Sequence, residues 1–253
     1  MNGTVPKRVA NWSHLLLAAL LVALVGGAFW LKTRAQLAPR DTGRLESVEE
    51  ILARGIREHT AGSYGVAMDL YHKVLQRDPR HAQAHYNLAQ IYSARGQYAQ
   101  AQWEYEAALK TDPKFLDARL NLGVVLYQQR QFAAAAAEFR QVLQGSPQHP
   151  LALFNLGIAL IELGQADQAI AWLTAALRED PNRADSHYYL GLALEREWRL
   201  SEAQAALQQA LALNPKHVEA YVALANVYSA QGQERLAQEA LAKAAELNPH
   251  LKK

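Results

Sequence analysis

PLALFNLGIALIELGQADQAIAWLTAALREDPNR, residues 150–183, is the stretch that decides the fold. Leu153, Leu156, Gly157 and Leu160 fall at the i, i+3, i+4, i+7 spacing of one helix face. Ala169, Leu173 and Ala176 form a second stripe, and Gly164 stands between the two as a turn residue. Asp180-Pro181 closes the unit. A residue before proline is pushed out of the α region, and an aspartate side chain bonds exposed backbone N–H groups at helix boundaries. The segment therefore predicts two amphipathic helices joined by a tight turn. Gly157 and Ala169 are small enough to let them approach closely, and Leu173 fills the space beside them.

Outward from this stretch, the proline returns with a fixed period. Pro79, Pro113, Pro147, Pro181, Pro215 and Pro249 are each 34 residues apart. Asp78, Asp112, Ser146, Asp180, Asn214 and Asn248 precede them. A unit that ends two residues after its proline gives six repeats: 48–81, 82–115, 116–149, 150–183, 184–217 and 218–251. Position 7 holds Arg54, Leu88, Leu122, Leu156, Leu190 and Leu224, and position 8 holds Gly55, Ala89, Gly123, Gly157, Gly191 and Ala225. Position 20 is alanine in all six: Ala67, Ala101, Ala135, Ala169, Ala203 and Ala237. Position 24 is large (Tyr71, Tyr105, Phe139, Leu173, Leu207, Leu241), and position 15 is glycine at Gly62, Gly96, Gly164 and Gly232. One helix pair buries too little apolar area to stand alone, so the pairs must stack and share a core.

At these positions the chain resembles the tetratricopeptide repeat (TPR) family, over 204 of its 253 residues. The resemblance implies an all-α fold, a right-handed α-α superhelix (TPR solenoid) of six helix-turn-helix repeats. The departures are at the ends. Arg54 and Glu58 stand in repeat 1 where apolar residues are expected, although Ser47 and Glu50 still supply a capping-box start. Repeat 6 is followed by Lys252 and Lys253 alone. Its final helix, Glu234 to Leu247, is expected to leave apolar surface exposed or to meet a partner, which includes a second copy of the chain.

The front of the sequence differs in character. Residues 1–14 are a short basic tail, and Leu15 to Leu31 is a run of 17 residues without a charge. At the helical rise that run spans about 26 Å, close to the hydrocarbon thickness of a bilayer. Trp12 and Trp30 bracket it, and Lys7, Arg8, Lys32 and Arg34 close both ends. An uncleaved transmembrane anchor is the expectation, with a cleaved signal peptide as the competing reading, for which Gly26 and Ala28 supply small residues. Phe29-Trp30-Leu31 continues the apolar run where a polar mature start would be expected, which favours the anchor. The count of basic residues leans toward a cytoplasmic carboxyl side. The short basic tail ahead of a first apolar segment leans toward export, and an extracytoplasmic array is the reading adopted. Residues 32–47 are polar, without apolar period, and read as a linker.

Composition narrows the function. Half the residues are apolar and a fifth charged, which excludes wholesale disorder. The chain has no cysteine, so disulfides, thiol nucleophiles and thiolate metal sites are excluded. The net charge of +2 is uneven, since residues 1–47 carry the whole positive excess and the repeats are slightly acidic. That balance is no footprint for nucleic acid. Phosphate-binding, nucleophile-elbow and zinc-protease motifs are lacking, and no enzyme activity, cofactor or metal is expected. His81 and His85 sit four apart, but His81, His149 and His217 share position 34 while His85 and His187 share position 4, so they recur because the repeat recurs.

In TPR proteins the first helix of each repeat lines a concave face, mainly through positions 2, 5, 9, 12 and 13. By that resemblance the candidate groove for a partner protein or peptide segment consists of twelve residues. Tyr86, Leu120, Phe154 and Tyr188 are at position 5, and Asn87, Asn121 and Asn155 at position 6, where the family's asparagine often bonds a peptide backbone. Val124, Ile158 and Leu192 are at position 9, and Tyr127 and Ile161 at position 12. Ordinary packing is the competing reading of this stripe. The family's clamp for chaperone carboxyl tails requires lysine at position 5, which no repeat has.

Overall fold

The structure, a computed structural model, describes residues 46–252, with side chains through His250. The run 15–31 and all but the last two residues of the expected linker lie outside the described residues. Among those described, no helix is long and apolar enough to cross a membrane. Ser47–Lys253 forms one compact unit.

That unit holds twelve α-helices among the described residues, in six pairs. They are α1 (Val48–Thr60), α2 (Tyr64–Arg77), α3 (Ala82–Ala94), α4 (Tyr98–Thr111), α5 (Leu116–Gln128), α6 (Phe132–Gly145), α7 (Pro150–Glu162), α8 (Ala166–Glu179), α9 (Ala184–Arg196), α10 (Leu200–Leu213), α11 (Val218–Ala230) and α12 (Glu234–Leu247). Every first helix has 13 residues and begins at position 1 of its repeat, and every second helix has 14 and begins at position 17. Each helix packs on the next in sequence. The first helices α5, α7, α9 and α11 also touch one another in turn and form a continuous row.

The period determines how the pairs fit. All six position-20 alanines are buried, as is position 24 in the first five repeats. A Cβ on Gly157 would lie 2.6 Å from Leu173 Cγ, and one on Gly191 2.6 Å from Leu207 Cγ, both far inside contact distance. In repeats 1, 3, 4 and 5 glycine at position 8 is thus set by the close approach of the large side chain at position 24, whereas repeats 2 and 6 hold alanine there. The exception is Leu241, which is 47% exposed on the last helix.

Local chemistry fixes the boundaries. Ser47 Oγ accepts from the Glu50 N–H at 3.2 Å, and Glu50 Oε2 accepts from the Ser47 N–H at 2.7 Å, completing a capping box on α1. His81, His149 and His217 cap α3, α7 and α11 through Nδ1, which accepts the backbone N–H three residues on at 3.3 Å in each case. The residues before proline end helices by a turn of their own. The Oδ1 atoms of Asp78, Asp112, Asn214 and Asn248 accept the N–H two residues on, at 3.0–3.2 Å.

Position 4 carries a repeated polar tie. Arg119 donates to the Pro113 carbonyl at 3.0 Å and to Glu138 at 2.8 Å. His85 makes the same pair of contacts, to the Pro79 carbonyl at 3.2 Å and to Glu104 at 2.6 Å, with both His85 and Glu104 buried. Each tie joins the two helices of a repeat to the turn that precedes them.

Candidate functional site

The residues expected to line the groove divide by burial. Val124 and Tyr127 on α5, Asn155 and Ile158 on α7, and Tyr189 on α9 converge on one pocket of about 180 Å³, closed below by Phe139. Three successive first helices supply its walls. The pocket is small, apolar and aromatic, with the Asn155 amide and the Gln128 side chain as polar groups. Burial pushes the Tyr127 phenol up to about 12, reinforced by the nearby Glu162 charge, and it pushes Tyr189 upward as well. Both phenols therefore present O–H groups at neutral pH.

Other expected groove residues are not free to meet a ligand. Leu120, Phe154, Ile158 and Ile161 are buried in the shared core, so they act chiefly as packing, with Ile158 also reaching the pocket floor. Phe154 is covered by its neighbours. The Arg183 guanidinium sits 4.0 Å over its ring, and Tyr189 meets it edge-on at 5.6 Å between centroids. The Ile161 carbonyl accepts from Arg196.

At the amino-terminal side, the Tyr86 hydroxyl accepts from Gln90 at 3.1 Å and Asn121 at 3.3 Å, and its ring packs on Phe115. Asn121 is thereby used within the fold. Asn87 is buried, its Oδ1 accepting from Gln83 at 3.0 Å while its Nδ2 has no partner among the described residues. Tyr188 meets Tyr189 edge-on and His217 at a tilt and lies outside the pocket, as does Leu192, which borders a separate recess.

Tyr189 and Arg183 were not in the expected set. Their signal is a break in the period. Tyr189 stands at position 6, after Asn87, Asn121 and Asn155. Arg183 stands at position 34, among His81, His149 and His217. No group of three or more metal-ligating side chains converges among the described residues. His81 and His85 point to different tasks, helix capping and the Glu104 tie.

Comparison with known proteins agrees with this geometry. The tetratricopeptide repeat family matches residues 58–103, 126–194 and 196–250, and a second tetratricopeptide repeat family matches 86–150. The chain belongs to the tetratricopeptide repeat family. No curated protein matches it as a relative. Among solved structures, the TPR protein YrrB, described as having an unusual peptide-binding site, is 23% identical with a TM-score of 0.61, over 71% of this chain and 92% of that one. MamA of Desulfovibrio magneticus RS-1 is 23% identical with a TM-score of 0.64, over 68% and 97%. PilF of Pseudomonas aeruginosa is 20% identical with a TM-score of 0.67, over 80% and 92%. At these identities the likeness is one of fold, that of a TPR solenoid.

Proposed function

We propose that this TPR protein binds a partner polypeptide along the row of first helices, with the pocket between α5, α7 and α9 as its anchoring point, and that the run 15–31 tethers it to a membrane. The observation that carries the reading is the convergence of Val124, Tyr127, Asn155 and Tyr189 from three repeats on one apolar pocket. An apolar side chain of an extended or helical segment fits a recess of that size, with Asn155 and the Tyr189 hydroxyl available to its backbone. The work is non-covalent, without catalysis or cofactor.

Val124 and Tyr127 are the residues to change, because they are only partly buried. Lysine at Ile158 or Ile161 would instead place a charge in the core. With Val124→Lys and Tyr127→Lys in the full chain, crosslinking in the membrane should lose the partners caught by the parent. Unchanged recovery by a variant with parental circular dichroism refutes the groove. Tethering, with the array outside the cytoplasm, predicts resistance to alkaline extraction and digestion by protease added outside a permeabilised envelope. Release by alkali refutes the anchor, and protection refutes the orientation.

A second reading rests on exposure of Leu241 and Leu247 on α12, which suits self-association through that helix. Sedimentation of the full chain in detergent separates the two. A monomer at all concentrations removes the second reading.

A further inference from the structure

The turn between α9 and α10, like that between α5 and α6, departs from the other four. Position 15 requires a left-handed backbone, with φ between 71° and 81° at Gly62, Gly96, Gly164 and Gly232. Repeat 3 places Arg130 there, at φ 60°, and repeat 5 places Trp198, at φ 56°. For a side chain as bulky as tryptophan this conformation is strained, because Cβ crowds the backbone carbonyl. Burial does not offset the strain, since Trp198 is 75% exposed. The turn is nevertheless fully bonded. The Trp198 N–H donates to the Glu195 carbonyl and the Arg199 N–H to the Leu194 carbonyl, both at 2.9 Å. The backbone that carries the indole is therefore fixed at the end of α9.

What it faces is a recess of about 380 Å³ lined by Leu192, Glu195, Arg196, Trp198, Leu200 and Ala230. Leu192, Glu195 and Arg196 lie on α9, and Ala230 ends α11, so the recess continues the same row of first helices that carries the pocket. The Glu195 carboxylate is half-buried with no hydrogen bond or ion pair among the described residues. Burial raises its pKa, and the neighbouring Arg196 charge offsets this only in part. Neither nearby arginine satisfies it. Arg196 is turned to the Ile161 carbonyl, and Arg199 is held by both oxygens of Glu202 at 2.7 and 2.8 Å. A half-buried carboxylate without a partner is an unfavourable arrangement that an incoming cation corrects.

The recess thus combines three elements of one recognition chemistry. Leu192 and Leu200 receive a methylene stem, the indole face attracts a cation, and the Glu195 carboxylate pairs with it. We propose that this recess is a side-chain subsite for a lysine or arginine of the bound polypeptide. The proposal shares with the groove reading only the class of ligand, a polypeptide, and it stands or falls at different residues.

The test is selection of a phage-displayed library of random peptides on the full chain, followed by affinity measurement with the synthesised winners. The expected winners carry lysine or arginine next to an apolar residue. Their affinity should fall about tenfold with Trp198→Gly and severalfold with Glu195→Gln. Trp198→Gly keeps the fold intact, because glycine is the residue of four sister turns. Failure to recover binders, winners without basic enrichment, or affinities unchanged in both variants overturns the subsite. Binding lost with Val124→Lys but unchanged by Trp198→Gly overturns the subsite and supports the groove. The opposite pattern supports the subsite and overturns the groove.

Discussion

The packing rule at positions 8 and 24 makes the same substitution act in opposite directions at two glycines. In Gly157→Ala the new Cβ would stand 2.6 Å from Leu173 Cγ, 2.8 Å from Cδ2 and 3.4 Å from Cδ1. Favourable carbon contacts lie at about 3.5–4.0 Å, so roughly 1 Å must be found. The crowded atom is the branch point of a fully buried leucine, whose movement displaces its neighbours. Overpacking of this kind costs about 1–3 kcal/mol, against about 1 kcal/mol gained from the helix propensity of alanine. The net expectation is destabilisation by about 1 kcal/mol. Gly65, in the first turn of α2, has nothing within 4 Å of its would-be Cβ. There Gly→Ala should stabilise by about 0.5–1 kcal/mol. Urea titration followed by far-ultraviolet circular dichroism should separate the two variants by roughly 2 kcal/mol, or about 0.7 M in midpoint at a slope of about 3 kcal/mol/M. The cycle with Leu173→Ala isolates the cause, because truncation should cost less in the Gly157→Ala background than alone. Equal stabilisation by both glycine changes, or an additive cycle, refutes the claim that Leu173 at position 24 sets glycine at position 8 of this pair.

Three further outcomes follow from particular contacts. Ser47→Ala removes the capping box of α1 and should cost about 1 kcal/mol, seen as faster amide exchange across Val48–Thr60 with the later helices unchanged. Burial pulls the His85 pKa down, but the hydrogen bonds to Glu104 and the Pro79 carbonyl, with the charges of Glu104 and Asp78, outweigh it and the net shift is upward. A pKa raised on folding gives stability that is complete below the unfolded value near 6.5 and lost as pH rises through the folded value. Urea midpoints should thus fall as pH is raised above neutrality, and Glu104→Gln should cost about 2 kcal/mol at acidic pH while flattening that dependence. A parallel pH profile in the variant contradicts the tie. Arg183→Ala removes the cation over the Phe154 ring and should cost about 1 kcal/mol in thermal unfolding. Arg183→Lys should recover only part of it, because the planar group is what stacks.

The fold was legible because each boundary is signalled by chemistry that repeats. Proline at a fixed interval ends every second helix, and glycine or its substitute ends every first helix. Six alanines at position 20 and a large residue at position 24 state the distance between the helices of a pair, and the structure places these residues against one another. Leu241 shows the limit of that reading. Its position in the repeat is that of a buried residue, yet burial at position 24 is completed by the helix that follows, and beyond α12 the described structure offers only the short 3-10 helix Pro249–Lys252. Which of the residues expected to line a groove stay accessible was legible only in part, for a related reason. Position along a helix tells which face a side chain takes, and Val124, Tyr127 and Asn155 do meet in the pocket. It does not tell what the next repeat lays over that face. Phe154 and Ile161 lie on the expected side of α7 but are buried in the shared core, with Arg183 and Tyr189 laid over the Phe154 ring.

Those covering residues suggest where to look in such an array. A repeat that serves only the fold has no reason to abandon its period, because each consensus residue already suits its position. Departures with a local compensation are packing variants: Arg183 forgoes the histidine cap and gains the Phe154 face. Tyr189 replaces an asparagine and gains contacts with two aromatic rings, while it also walls the pocket. Trp198 is different in kind. It adopts a backbone suited to glycine, leaves most of its surface in solvent, and lines one recess with the Glu195 carboxylate, which has no hydrogen-bond partner among the described residues. Among the described residues the fold gains no contact in return, which is what the subsite proposal accounts for. If Trp198→Gly leaves stability equal or higher, the tryptophan is not there for folding, and the recess it guards belongs to whatever the protein holds. A clear loss of stability would instead make Trp198 one more packing residue and remove the reason for singling it out.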